Sequence, residues 1–118
     1  MRKLGVALFT CLAVVVLGAA ANITGKWEVD VDFDDSSIHG GGIDCAFKQD
    51  GEQLTGNCAE EALTGAVKGQ NVSWRMQGKG NPSEATTFTG IVNEAGTSMT
   101  GTFMMPGKRG RFTASRQF

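Results

Sequence analysis

ITGKWEVDVDF, residues 23–33, alternates apolar and polar side chains without a break. Ile23, Gly25, Trp27, Val29, Val31 and Phe33 share one parity, while Thr24, Lys26, Glu28, Asp30 and Asp32 share the other. A period of two is the mark of a strand with one buried and one solvated face. The opening phrase of this stretch returns four times, as LTGNC from Leu54, LTGAV from Leu63, FTGIV from Phe88 and MTGTF from Met99. In each copy threonine falls on the wet parity, where a β-branched polar residue suits a sheet surface. Glycine falls on the buried parity, where a missing side chain lets a strand bend and lets a neighbour's bulk fit across it. Five inward glycines flanked by bulky residues indicate a tightly curved sheet.

Working outward, strands are expected at 23–33, 42–49, 53–59, 62–68, 71–77, 85–93, 98–105 and 110–117. They are separated by turn signals at Asp50-Gly51, Gly69-Gln70-Asn71, Glu94-Ala95-Gly96 and Pro106-Gly107. No useful window carries a helical period. Eight short consecutive strands predict an all-β fold, an eight-stranded antiparallel up-and-down β-barrel, which removes sheet edges by closure. Connections then alternate between two ends. One end receives the tight turns. The other receives DDSSIHGGG, Glu60-Glu61, GKGNPSE and PGKR, longer and richer in glycine and charge, and is the expected mouth.

The N-terminal segment stands apart from this pattern. Arg2 and Lys3 precede the apolar run LGVALFTCLAVVVLG, which ends in Ala19-Ala20-Ala21. That is the layout of a secretory signal peptide, with cleavage expected after Ala21. The run is shorter than the ~20 residues a membrane span needs, and it continues past Cys11, where a lipoprotein signal would end it. Residues 1–21 are thus the expected signal peptide and 22–118 one barrel domain, large enough for a single modest core.

Without Arg2 and Lys3, nine of the eleven basic residues face twelve acidic ones, and no basic patch is visible. Nucleic acid is therefore not expected as a partner, nor a membrane once the signal is removed. Of the three cysteines, Cys45 and Cys58 remain after cleavage. An even pair in an exported chain is most simply a disulfide. If the hairpin CAFKQDGEQLTGNC turns through the four residues 50–53, Cys45 lies directly opposite Cys58, and Phe47 and Leu54 share the inner face with both.

Gly25-Lys26-Trp27 near the start of the first strand, with Arg116 near the end of the last, resembles the signature of the calycin superfamily, which includes lipocalins, fatty-acid-binding proteins and avidins. The resemblance implies a structural plug, with the tryptophan closing one end and the arginine packed over it. A second stretch, VSWR followed by SEATTFTGIV and MTGTFMM, is similar to the avidin pattern V-A-W-K, S-A-T-T-W-S-G and T-Q-W-L-L. It implies ligand-facing positions for Trp74, Thr86, Phe88 and Phe103. The chain departs from avidins in having no tyrosine, no Asn after the first-strand Trp, and no C-terminal Trp and Asp.

Candidate ligand-binding residues are Phe33, Ile43, Trp74, Met76, Thr86, Phe88, Phe103 and Met105, inward positions at or below the mouth. The inner face is otherwise apolar, and a barrel of this size either fills with side chains or holds one small ligand. Its inward glycines serve curvature or open space. No catalytic residue, metal or cofactor is expected. Ser36, Ser37, His39 and Asp44 crowd into one glycine-rich stretch without the rigid frame a nucleophile needs. Asp30, Asp32 and Asp34 repeat with strand period on the wet face, and the glycine and glutamate of a calcium loop are missing. The chain is expected to be a non-enzymatic, secreted or periplasmic binder of a small apolar molecule. A module binding an exported protein, such as a hydrolase inhibitor, and a degenerate avidin-like, biotin-type binder are the alternatives.

Overall fold

The computed structural model describes residues 21–77 and 85–118. Residues 1–20 of the expected signal peptide, with Cys11, lie outside the described residues, as does the whole GKGNPSE segment with Ser83 and Glu84.

The described chain is all strand and turn. β1 (Gly25–Phe33), β2 (Gly42–Asp50), β3 (Gln53–Cys58), β4 (Glu61–Lys68), β5 (Asn71–Met76), β6 (Thr86–Val92), β7 (Ser98–Met105) and β8 (Lys108–Arg116) follow in order. Each pairs antiparallel with the next, and β8 returns to β1, closing an eight-stranded up-and-down barrel. The closing seam runs from Trp27↔Arg116 to Phe33↔Gly110. Inward positions are apolar and outward ones mostly threonine, lysine and acid, the reverse of a lipid-facing barrel. No helix among the described residues is long and apolar enough to cross a membrane.

Element ends differ from the sequence reading by one or two residues, for local reasons. β1 starts at Gly25 because Ile23 and Thr24 are held otherwise. The Ile23 N–H donates to Gln49 Oε1 (2.9 Å), and the Thr24 hydroxyl accepts from the Gln49 N–H (3.0 Å). β8 starts at Lys108, since Pro106-Gly107 is itself a two-residue turn beneath the pair Met105↔Lys108. The β2–β3 hairpin keeps the expected register, Cys45↔Cys58, but Asp50 and Gln53 pair with each other, leaving Gly51-Glu52 as the turn. Gly51 takes φ 63°, a left-handed value that glycine adopts without steric cost. Cys45 and Cys58 form a disulfide, and both are buried inside the barrel.

The repeated Thr-Gly phrase has a direct structural explanation. In register, Phe47 sits between Gly25 and Gly56, Trp74 beside Gly65, Phe112 beside Gly101, and Gly110 between Phe33 and Phe103. Each ring lies across the gap left by a neighbouring strand's glycine. A Cβ at Gly56, Gly65, Gly90, Gly101 or Gly110 would run into the backbone of the adjacent strand. These glycines are sites of close strand approach. They serve curvature and do not open a void.

Candidate functional site

The two ends of the barrel are built differently. At the tight-turn end, the Arg116 guanidinium lies 4.9 Å from the centre of the Trp27 ring. Arg116 also donates to Gly96 O (2.9 Å), Thr24 O (2.6 Å) and Asn22 O (2.7 Å). The Trp27 indole N–H donates to Ile23 O at 2.9 Å. A side chain at Gly25 would collide with Arg116 Nη1 at 2.9 Å, and Gly25 has φ 137°. Trp27, Arg116 and Gly25 thus close this end, with every polar group of the two side chains' contact paired.

From the cap, rings in contact run toward the other end. Trp27 meets Phe47 (6.4 Å between ring centres), and Phe47 meets Trp74 (4.9 Å). Trp74 stacks on Phe88 at 4.8 Å with planes 10° apart, and Phe88 stacks on Phe103 at 5.6 Å. Phe33 meets Phe103 edge-on at 5.2 Å, and Phe112 braces both Trp74 and Phe88. Each such pair contributes about 0.5–1.5 kcal/mol beyond the area it buries.

The candidate ligand residues therefore divide into two layers. Trp74, Phe88 and Phe103 form a contiguous stacked wall, adjacent in register across β5, β6 and β7, and each is almost fully buried. One inward step nearer the mouth lie Met76, paired with Thr86, and Met105. Met76 is buried, whereas Thr86, Met105, Phe33 and Ile43 are partly exposed. Phe33, Ile43 and Met105 pack against the core from the rim. A depression of about 370 Å³ opens beside Phe33 and Met105, bounded by Asp34, Asp35, Ile38 and Lys108.

Among the described residues no hydrogen bond joins His39 to Ser36, Ser37 or Asp44. The Ser37 hydroxyl donates to Asp35 Oδ1 at 2.7 Å, and the Ser37 N–H donates to the same oxygen at 3.0 Å. These two bonds hold the Asp35 carboxyl below the usual carboxylate range. His39 is exposed, and Asp44 is an exposed β2 residue opposite Glu28. Asp30 and Asp32 project from the outer face of β1, opposite Thr113 and Arg111, and Asp34 lies 3.9 Å from Arg109. That exposed pair contributes about 0–1 kcal/mol.

One feature of the wall was not legible in the sequence. The Trp74 indole N–H is buried and has no hydrogen-bond partner, the single such side-chain group among the described residues. An unpaired buried donor costs about 1–3 kcal/mol, so its retention requires an explanation. Residue type and parity place Trp74 inside; they do not say whether its nitrogen meets an acceptor.

No protein-family model and no curated protein matches the chain.

Proposed function

We propose that this protein is an exported, non-enzymatic barrel that binds a small, mainly apolar molecule at its long-loop end. The observation that carries the reading is the partly exposed apolar rim of Phe33, Ile43 and Met105 over a buried aromatic wall, beside a 370 Å³ depression. Such a rim presents apolar surface where the outer face, apart from Ile91 and Met104, is mostly polar, and methionine adapts to irregular ligands. The buried disulfide supports an oxidising compartment, in line with the signal-like N-terminus. Intact mass of the secreted protein tests export, with a start within a residue of Asn22 and no free thiol expected.

Binding is tested with a neutral environment-sensitive dye, N-phenyl-1-naphthylamine. Its emission is expected to rise and shift to the blue on addition of protein, and Phe33→Asp together with Met105→Asp is expected to remove the response. No response from the wild type, or a response indifferent to both rim changes, defeats the reading. Biotin belongs in the same assay as a competitor, and displacement only at high concentration is expected.

A second reading is favoured by the charged side chains at the same end: the long loops bind another exported protein, with Asp34, Asp35, Lys108 and Arg109 around the depression supplying polar contacts. In that case the dye stays silent while His39→Ala and Lys108→Ala weaken a complex.

A further inference from the structure

The aromatic wall contains a polar group that packing alone does not explain. We propose that the Trp74 indole N–H is the polar anchor of the mouth site, and that the molecule bound there is neutral and carries one hydrogen-bond acceptor, such as a ketone, ester or ether oxygen, on an apolar body. This rests on the small-ligand reading above and names the ligand's chemistry.

Trp74 stacks on Phe88 and meets Phe47 and Phe112 edge-on. A phenylalanine ring would offer similar faces and edges, so the ring contacts do not account for the nitrogen. The other indole shows the ordinary outcome, since Trp27 donates to Ile23 O at 2.9 Å. Trp74 has no such partner although it is only 1% exposed. A buried indole N–H can still donate one hydrogen bond, and a ligand acceptor can take it.

The rest of the interior defines what else the ligand has. Among the described residues no charged or polar side chain is buried. A carboxylate or ammonium carried inside would meet no counter-charge, and its desolvation would go uncompensated. The ligand is therefore neutral. Trp74 does not itself line the depression beside Phe33 and Met105, so the acceptor must pass the side chains that the register places between them. Met76 and Thr86 form the pair directly above Trp74↔Phe88, and Met105 lies one inward step above Phe103. Two of these three are unbranched thioethers with several rotatable bonds, able to move aside for an entering group.

The test uses two probes of nearly the same shape, acetophenone and α-methylstyrene, in which a carbonyl oxygen is replaced by a methylene. The protein has two tryptophans, so a ¹⁵N-labelled sample gives two indole N–H signals, and the hydrogen-bonded Trp27 serves as the internal control. Acetophenone is expected to move the Trp74 indole proton downfield in a saturable way and to leave Trp27 in place. α-Methylstyrene is expected to bind about tenfold more weakly, without the downfield shift. Trp74→Phe is expected to bind both probes equally. If both probes bind wild type equally and shift the Trp74 proton alike, the acceptor inference is overturned while the mouth site stands. If neither probe nor the naphthylamine dye binds, the mouth reading itself fails. Should Trp74→Phe not fold, the wild-type comparison of the two probes decides.

Discussion

Arg116 meets the Trp27 ring and three backbone carbonyls at once, those of Gly96, Thr24 and Asn22. It ties the segment before β1 to the last strand and to the turn before β7. Removing it leaves those carbonyls and the indole face exposed, so Arg116→Ala loses both packing and charge-assisted bonds. Arg116→Lys recovers the charge but not the planar fork that serves three acceptors. Trp27→Ala is expected to cost about 3–5 kcal/mol, as large aromatic truncations in cores do. Arg116→Ala is expected to cost less, and Arg116→Lys to fall between wild type and the alanine variant. Denaturant midpoints measure all three, and unchanged midpoints would contradict the capping role. The inward parity of Gly25, Trp27 and Arg116 was legible in the alternation of their strands. The carbonyls that Arg116 binds were not, because Asn22, Thr24 and Gly96 reach it through irregular backbone that no periodicity encodes. Ala59, with φ 53°, was equally hidden. Alanine is no ordinary choice for the left-handed region, and only the two-residue turn between Cys58 and Glu61 imposes it.

At the scale of strands, the register explains what the sequence left open about the inward glycines. A glycine in a strand is compatible with a void or with close approach, and its cross-strand neighbour decides between them. That neighbour sits at a distance in sequence set by turn length and barrel stagger, so single-strand alternation does not reveal it. Here Gly101 faces Gly90 on one side and Phe112 on the other. A Cβ at Gly101 would meet Thr89 O, Gly90 Cα and the Phe112 ring, the last at 2.8 Å. Backbone atoms cannot move aside cheaply, so Gly101→Ala is expected to destabilise by about 3 kcal/mol, the upper end of the overpacking range. Gly41 provides the contrast. A Cβ there meets nothing within 4 Å, and its φ lies outside the left-handed range. Gly41→Ala is expected to stabilise by about 0.4–1 kcal/mol through the unfolded chain. Thermal midpoints moving in opposite directions would confirm that the inward glycines are contact points. A neutral Gly101→Ala would show that space exists where close approach is described.

For the whole molecule, closure joins the two ends of the chain, and this shapes how it folds. Consecutive hairpins are local, but the β1–β8 seam pairs Val29 with Ala114 across nearly the full described length. Bringing such distant segments together carries the largest loop-closure entropy in the barrel. The β2–β3 hairpin is the opposite case, since the Cys45–Cys58 disulfide already holds it in the oxidised unfolded chain, removing roughly 3 kcal/mol of closure entropy from that state. The hairpin is therefore expected to be structured in the folding transition state and the seam to form late. Leu54→Ala and Val29→Ala probe the two regions, for both side chains are almost wholly buried and each change is large enough to read. Leu54→Ala is expected to slow folding, with a φ-value of about 0.5–0.8, whereas Val29→Ala is expected to act mainly by accelerating unfolding, at about 0–0.3. Stopped-flow refolding of the oxidised protein over a range of denaturant measures both arms. Equal φ-values at the two sites would mean that the barrel closes before its hairpins are consolidated, and the stapled hairpin would then have no priority in folding.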